Sequence, residues 1–298
     1  SAAPAAAAPP EAPQGGAREA ESARAAALFD GSGLRAVDPG DEEWLAAAVE
    51  TLGRTRTGRR VLRGTRRLAE TRGQATLVLL KPISNNGEFR YDSDLLVMDA
   101  AHRRTAPERS APILAHELQH VLQRQLGLPS DALELEVESY SVESRVWSEL
   151  GVEPARGSFA AEARRRLLKD PDAFLGWLGG QYDNNRLLHG DSMKGYVRWL
   201  KDERAKAVRR RARGLRDLEA ARRIADAIRA EGKPKKVRRA YAREEIEPIE
   251  RRLRDADDEI AWCERDLELL SSPEGRARFR AYSRRVVRRA RAVSASAR

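Results

Sequence analysis

Apolar residues recur along most of this chain at spacings of three and four, the period of an amphipathic helix, and one region departs from it. Trp44, Leu45, Ala48 and Leu52 predict a helix over residues 41–52 that Gly53 ends. Val61, Leu62 and Leu68 predict a second, strongly basic helix ending at Gly73, with its arginines as a solvated face. A further helical pattern over residues 17–28 precedes both and stops at Asp30-Gly31-Ser32-Gly33. The departure is ATLVLL, residues 75–80, an unbroken apolar run read as a buried strand. Lys81-Pro82 and Asn85-Asn86-Gly87 mark the turn after it, and residues 89–91 and 95–99 supply two more strands.

The helical period then resumes. In residues 110–127, SAPILAHELQHVLQRQLG, Ser110 is the expected N-cap, Pro112 sits in the first turn and Gly127 is the C′ residue. Ile113, Leu114, Leu118, Val121, Leu122 and Leu126 give it the broad apolar surface of a helix packed inside a domain. Leu128-Pro129 makes a turn, and Ser130 or Asp131 caps a helix to about residue 150 with Leu133, Val137, Tyr140 and Trp147 on one face. Beyond Gly151, residues 159–168 and 172–178 are helical up to Gly179-Gly180. From Lys201 the pattern predicts a long helical hairpin, with one arm over residues 201–230 and a break at Glu231-Gly232-Lys233-Pro234. The return arm carries Ile246, Ile249, Leu253, Ala256, Ile260, Cys263, Leu267 and Leu270 at alternating spacings of three and four, a coiled-coil-like seam. Ser271-Ser272-Pro273 closes that arm before a last basic helix over residues 276–291. The fold class is α+β, mainly α, with one small sheet.

Composition narrows the partners. No run of eighteen apolar residues occurs, so no transmembrane helix is expected. Cys263 is the single cysteine, which excludes an internal disulfide and a cysteine-rich zinc site, and its place in the seam makes it a small core residue. The net charge of +10 belongs to the C-terminal third, where 30 Lys and Arg face 18 Asp and Glu; residues 1–200 carry 26 against 28. Such a surplus suits an acidic partner; the absence of interleaved aromatics and of a recognised motif speaks against nucleic acid. Residues 1–16, SAAPAAAAPPEAPQGG, are an Ala/Pro-rich leader expected to be disordered. A first residue other than methionine gives a slight preference for an exported protein.

The chemistry sits in His116-Glu117-Leu118-Gln119-His120. Residues four apart lie on one helix face, so His116 and His120 direct two imidazoles at one point, and Glu117, about 100° round, reaches a metal-bound water without being a ligand. Two imidazoles need a third protein ligand, and a carboxylate from the next helix satisfies catalytic zinc while leaving a position for water. Glu134, Glu136, Glu138 and Glu143 are the candidates there, and Glu136 is the expected ligand.

Over residues 110–150 the chain resembles the gluzincin metallopeptidases, in which His-Glu-x-x-His is completed by a glutamate of a following helix carrying Glu-x-x-x-Asp. Here that stretch reads Glu136-Val137-Glu138-Ser139-Tyr140, with Tyr140 where the family has an aspartate that steadies a histidine. Glu134, Glu138, Glu143 or a backbone carbonyl is left to take that role. The resemblance implies a zincin-like catalytic domain over residues 17–200, followed by the basic hairpin appendage of residues 201–298. It implies a Zn2+ endopeptidase acting on peptide or protein substrates, with Glu117 as general base. It also implies an oxyanion donor from the helical half, for which His189 is a candidate; His102 has a similar claim. The alternative function is a non-catalytic scaffold that binds through the hairpin, with the histidine helix inactive or structural.

Overall fold

The computed structural model describes residues 31–90, 94–129, 132–182 and 192–296. The leader of residues 1–16, the helix expected over 17–28, the cap at 130–131 and His189 lie outside them. The chain is mainly helical with one small mixed sheet. Contacts divide it into two compact units, one formed by the described residues up to Leu122 with Val142–Ser158, the other by Gln123–Ser141 and the described residues from Phe159 onward.

The first unit begins with strand β1 (Leu34–Ala36) and a 3-10 turn at Pro39–Asp41, whose cap Asp38 accepts from the Gly40 amide at 2.9 Å. Helices α1 (Glu42–Arg54) and α2 (Arg56–Arg72) follow. Thr55 caps α2 by accepting from the Gly58 amide at 2.8 Å, and Gly73 ends it at φ +68°, where a side chain is strained. Val61, Leu62 and Leu68 turn inward while Arg59, Arg63, Arg66 and Arg67 face solvent, as amphipathic patterning requires. Strand β2 (Thr76–Lys81) follows, its alternate residues Thr76, Val78 and Leu80 buried, then β3 (Gly87–Arg90) and β4 (Leu95–Asp99). The sheet order is β1-β2-β4-β3, with β1, β2 and β4 parallel and β3 antiparallel on the edge, Gly87 opposite Met98 and Arg90 opposite Leu95. The parallel β1 is absent from the sequence-based expectation because three residues are too few to show a period.

Helix α3 (Pro107–Arg124) carries the histidines, and α4 (Leu133–Leu150) follows it. Ser110 is not the N-cap: the helix starts three residues earlier, with Pro107 in the first position where its missing N–H costs nothing, and Ser110 is buried within the first turns. Pro112 therefore lies inside the helix. Gly127 takes φ +53° just beyond the C-terminus, as expected of a C-terminal glycine. Leu114, Ala115, Leu118 and Val121 are fully buried with Leu45, Leu52, Val78, Leu96, Val142 and Val146, so α3 is packed on its sheet-facing side over most of its length.

The second unit is helical: α5 (Phe159–Lys169), α6 (Pro171–Gln181), α7 (Ser192–Ala230), α8 (Lys235–Tyr241), α9 (Glu247–Ser271) and α10 (Pro273–Ser296). The break at Glu231–Pro234 is present, and α9 runs back along α7 as an antiparallel hairpin. Ile249, Leu253, Ala256, Cys263 and Leu270 of the seam are buried. The boundary expected at residue 200 falls inside α7, one continuous helix of 39 residues. Met193, Tyr196 and Leu200 at its start share a core with Cys263, Phe279 and Tyr282, so the segment before residue 200 packs with the C-terminal helices.

Candidate metal centre

His116, Glu117 and His120 are each less than a tenth exposed, the imidazole centroids 5.0 Å apart with their planes at 64°. One ligand atom from each of His116, His120 and Glu136 falls within 4.8 Å of the others, against about 3.4 Å for the edge of a tetrahedron with ~2.1 Å bonds. Glu136 is half-buried. Two nitrogens and a carboxylate oxygen, neutral and anionic donors of borderline softness, are a donor set able to hold a divalent cation such as zinc.

The other acids of α4 are placed elsewhere. Glu143 Oε2 accepts a hydrogen bond from His116 Nδ1 at 2.9 Å, and its Oε1 accepts from the Trp147 indole N–H at 3.1 Å. An ionised carboxylate has only acceptors, so in a neutral His116 this contact places the proton on Nδ1 and leaves Nε2 as the unprotonated nitrogen. Glu143 is thus the acceptor beside the Nδ1 nitrogen of His116. Seven residues separate it from Glu136, two helical turns, so both project from one face of α4. Tyr140, at the aspartate's own position, shares a 3.0 Å hydrogen bond with the Tyr182 hydroxyl. Glu134 accepts from Ser283 Oγ at 2.8 Å, and Glu138 from Tyr282, Gln123 and Arg289.

Glu117 lies against the edge strand. A Cβ on Gly87 would stand 2.9 Å from both Cγ and Oε1 of Glu117, so a larger residue there would have to push the Glu117 side chain aside. The signal was present in the sequence, since Gly87 belongs to the turn motif before the strand, but its partner was invisible.

His102 does not stand free as an oxyanion donor. It is 5% exposed in the 3-10 turn after β4 (Ala100–Arg104), with Nδ1 3.2 Å from Ser110 Oγ and Nε2 3.1 Å from the Asn86 carbonyl. Burial pulls its pKa below the ordinary 6.5, partly offset by the Asn86 contact and the Asp99 charge. In the neutral ring Nε2–H donates to Asn86 and Nδ1 accepts from Ser110. His102 thereby ties the residue before Gly87 to helix α3. Asp99 is held below the usual carboxylate range, chiefly by the Ala101 amide at 2.6 Å. Tyr196, from the stretch around His189, is buried and donates to Asp266 Oδ2 at 3.2 Å.

In the hairpin, arginines of α7 pair with acids of α9: Arg204 with Glu264, Arg210 with Glu259, Arg211 with Asp257 and Arg222 with Glu250. Part of the C-terminal cation surplus is thus matched across the hairpin. Among the described residues no helix is long and apolar enough to cross a membrane. Comparison of the chain with known protein families, with curated proteins and with solved structures returns no match.

Proposed function

We propose that this protein is a zinc-dependent metallopeptidase of gluzincin type with a zincin-like catalytic unit, acting as an endopeptidase on extended peptide segments. The convergence of His116, His120 and Glu136 on one point carries the reading. A zinc ion held by His116, His120 and Glu136 would supply Lewis acidity for the scissile carbonyl and for activating water. Glu117 accepts the proton of the attacking water and returns it to the leaving amine; its burial beside the Gly87 backbone restrains the carboxylate for that transfer. Glu143 keeps the His116 ring in the tautomer that ligation requires. Among the described residues the sheet order ends at strand β3, beside β4, and an edge strand suits a substrate pairing as an added strand. Pairing there would run the peptide backbone past Gly87 and towards Glu117.

The experiment is metal analysis of the purified chain combined with a peptide-cleavage assay. The expected result is about one zinc per chain, cleavage abolished by chelation, and a Glu117→Ala variant that keeps its zinc and loses cleavage. A metal-free wild-type chain whose properties ignore chelator refutes the proposal. The competing scaffold reading is less well supported, because the hairpin arginines named above are paired with acids of the facing helix.

A further inference from the structure

We infer that the C-terminal helix α10 fixes the rotation of α4 and so aims Glu136 at the histidines, making Tyr282, Ser283 and Arg289 positioning residues for the third ligand. The inference rests on the metal-site reading above and extends it to residues outside the expected catalytic domain.

At 100° per residue, Glu134 and Glu138 lie about 40° apart on α4, and Glu136 projects about 160° from each of them. The helix therefore has two acidic faces. The face bearing Glu134 and Glu138 is turned into the core of the second unit, where Glu134 is 0% and Glu138 5% exposed. A carboxylate is held at such depth only if donors meet it. Ser283 Oγ donates to Glu134 Oε1 at 2.8 Å, the Tyr282 hydroxyl to Glu138 Oε2 at 2.8 Å and Arg289 Nη1 to Glu138 Oε1 at 2.6 Å. Gln123, one turn beyond His120 on α3, donates through Nε2 to Glu138 Oε2 at 3.2 Å and to the Leu135 carbonyl at 3.0 Å.

These bonds act as a rotational lock. Turning α4 by one residue position would carry Glu134 and Glu138 out of reach of the donors named above, leaving two buried carboxyl groups without them, and the same turn would swing Glu136 away from the two imidazoles. The energy that opposes rotation comes from the acids that do not bind metal. Leu135 and Val137, buried beside Tyr282, Phe279 and Val286, supply the apolar contacts around the lock. Arg291 of the same helix makes its ion pair with Asp172 of α6, so it lies outside the lock and serves as a control.

The test measures zinc affinity of the full chain by competition with a chromophoric chelator, for wild type, Y282F/R289A, S283A, E136Q and R291A, with urea unfolding of each metal-free protein. A Leu253→Ala variant in the hairpin supplies a destabilised protein with the lock intact. The expected result is a loss of about 10–100-fold in zinc affinity for Y282F/R289A, a smaller loss for S283A, and wild-type affinity for R291A and L253A. Partial recovery in Y282F/R289K supports the lock further. Wild-type affinity in Y282F/R289A, with E136Q weakened, overturns this inference alone. So does an affinity loss in L253A equal to that of Y282F/R289A, which would make the effect one of general stability. A wild-type chain that binds no zinc overturns the metal-site reading and this inference with it.

Discussion

Replacing Glu143 by glutamine tests the site through a residue outside the proposed ligand set. In the native protein its two oxygens receive two buried donors, His116 Nδ1–H at 2.9 Å and the Trp147 indole N–H at 3.1 Å. A carboxamide offers one oxygen and one NH2 group, so it satisfies only one of them. If the oxygen stays with Trp147, the NH2 group meets His116 Nδ1 and drives the ring proton to Nε2, the atom that must be bare to bind a cation. Zinc affinity then falls about 10–100-fold, or ~1.4–2.8 kcal/mol. If the oxygen turns to His116, the amide and indole donors oppose each other in a buried site, and the metal-free fold loses about 1–3 kcal/mol. Chelator competition reads the first outcome and urea unfolding of the metal-free protein reads the second, with Trp147 emission as a local reporter. An E143Q protein indistinguishable from wild type in both measurements would refute the account of the His116 tautomer.

Three further outcomes follow from the same geometry. In Gly87→Ala the new Cβ stands 2.9 Å from Glu117 Cγ, forcing the carboxylate aside; turnover should fall about 100-fold while zinc content and melting temperature stay near wild type, and undiminished turnover would contradict the placement of Glu117 against the strand. His102 has a folded pKa below its ordinary 6.5 because of burial, so at acid pH the unfolded chain binds the extra proton. Its stabilising contribution is complete above pH 6.5 and lost as pH falls towards the folded value, so metal-free wild type should lose urea resistance below pH 6.5 more steeply than His102→Asn; equal slopes would rule this out. Arg103→Ala removes the fork that grips Asp41, which is 1% exposed, at 2.5 and 2.8 Å. The Arg103 side chain is 41% exposed, so the cost should be about 2–3 kcal/mol in urea unfolding, below the ~3–5 of a fully enclosed pair.

Much of this architecture was legible in the sequence because it rests on period. The strands at residues 76–81 and 95–99, the break at Glu231–Pro234 and the seam from Ile249 to Leu270 follow from apolar spacing and from glycine and proline. The His116 and His120 pairing follows from helical geometry alone, and the two imidazoles do stand together. What failed to show was whatever depends on a partner distant in sequence. Ser110 reads as a cap because serine favours that position, yet its hydroxyl meets His102, and the helix begins at Pro107 instead. Residue 200, the expected boundary, is a similar case: the charge composition changes there, while Tyr196 and Leu200 lie in one continuous helix and are buried with Phe279 and Tyr282. Charge composition reports the solvated face of a helix, and domain membership is decided on the other.

The acids of α4 are the sharpest case. Glu134, Glu136, Glu138 and Glu143 are the same residue type within ten positions, so composition cannot rank them. Angular position separates them into a pair, Glu136 and Glu143, two turns apart on one face, and a pair, Glu134 and Glu138, one turn apart on another. Which face meets the histidines is then decided by the donors available to the other. Ser283, Tyr282 and Arg289 enter the chain some 140 to 150 residues later and receive the second pair. A helix with acids on two sides is poorly specified by its own sequence, since either face is able to approach a pair of imidazoles. On the inference drawn above, the C-terminal helix removes that degeneracy by offering Ser283 to Glu134 and Tyr282 and Arg289 to Glu138 in this orientation. On this argument the C-terminal helix belongs to the design of the proposed metal site, and deleting residues 273–298 should abolish stable zinc binding although the cluster itself consists of His116, His120 and Glu136. Tight zinc binding by a folded 1–272 fragment would show that α4 finds its orientation without help.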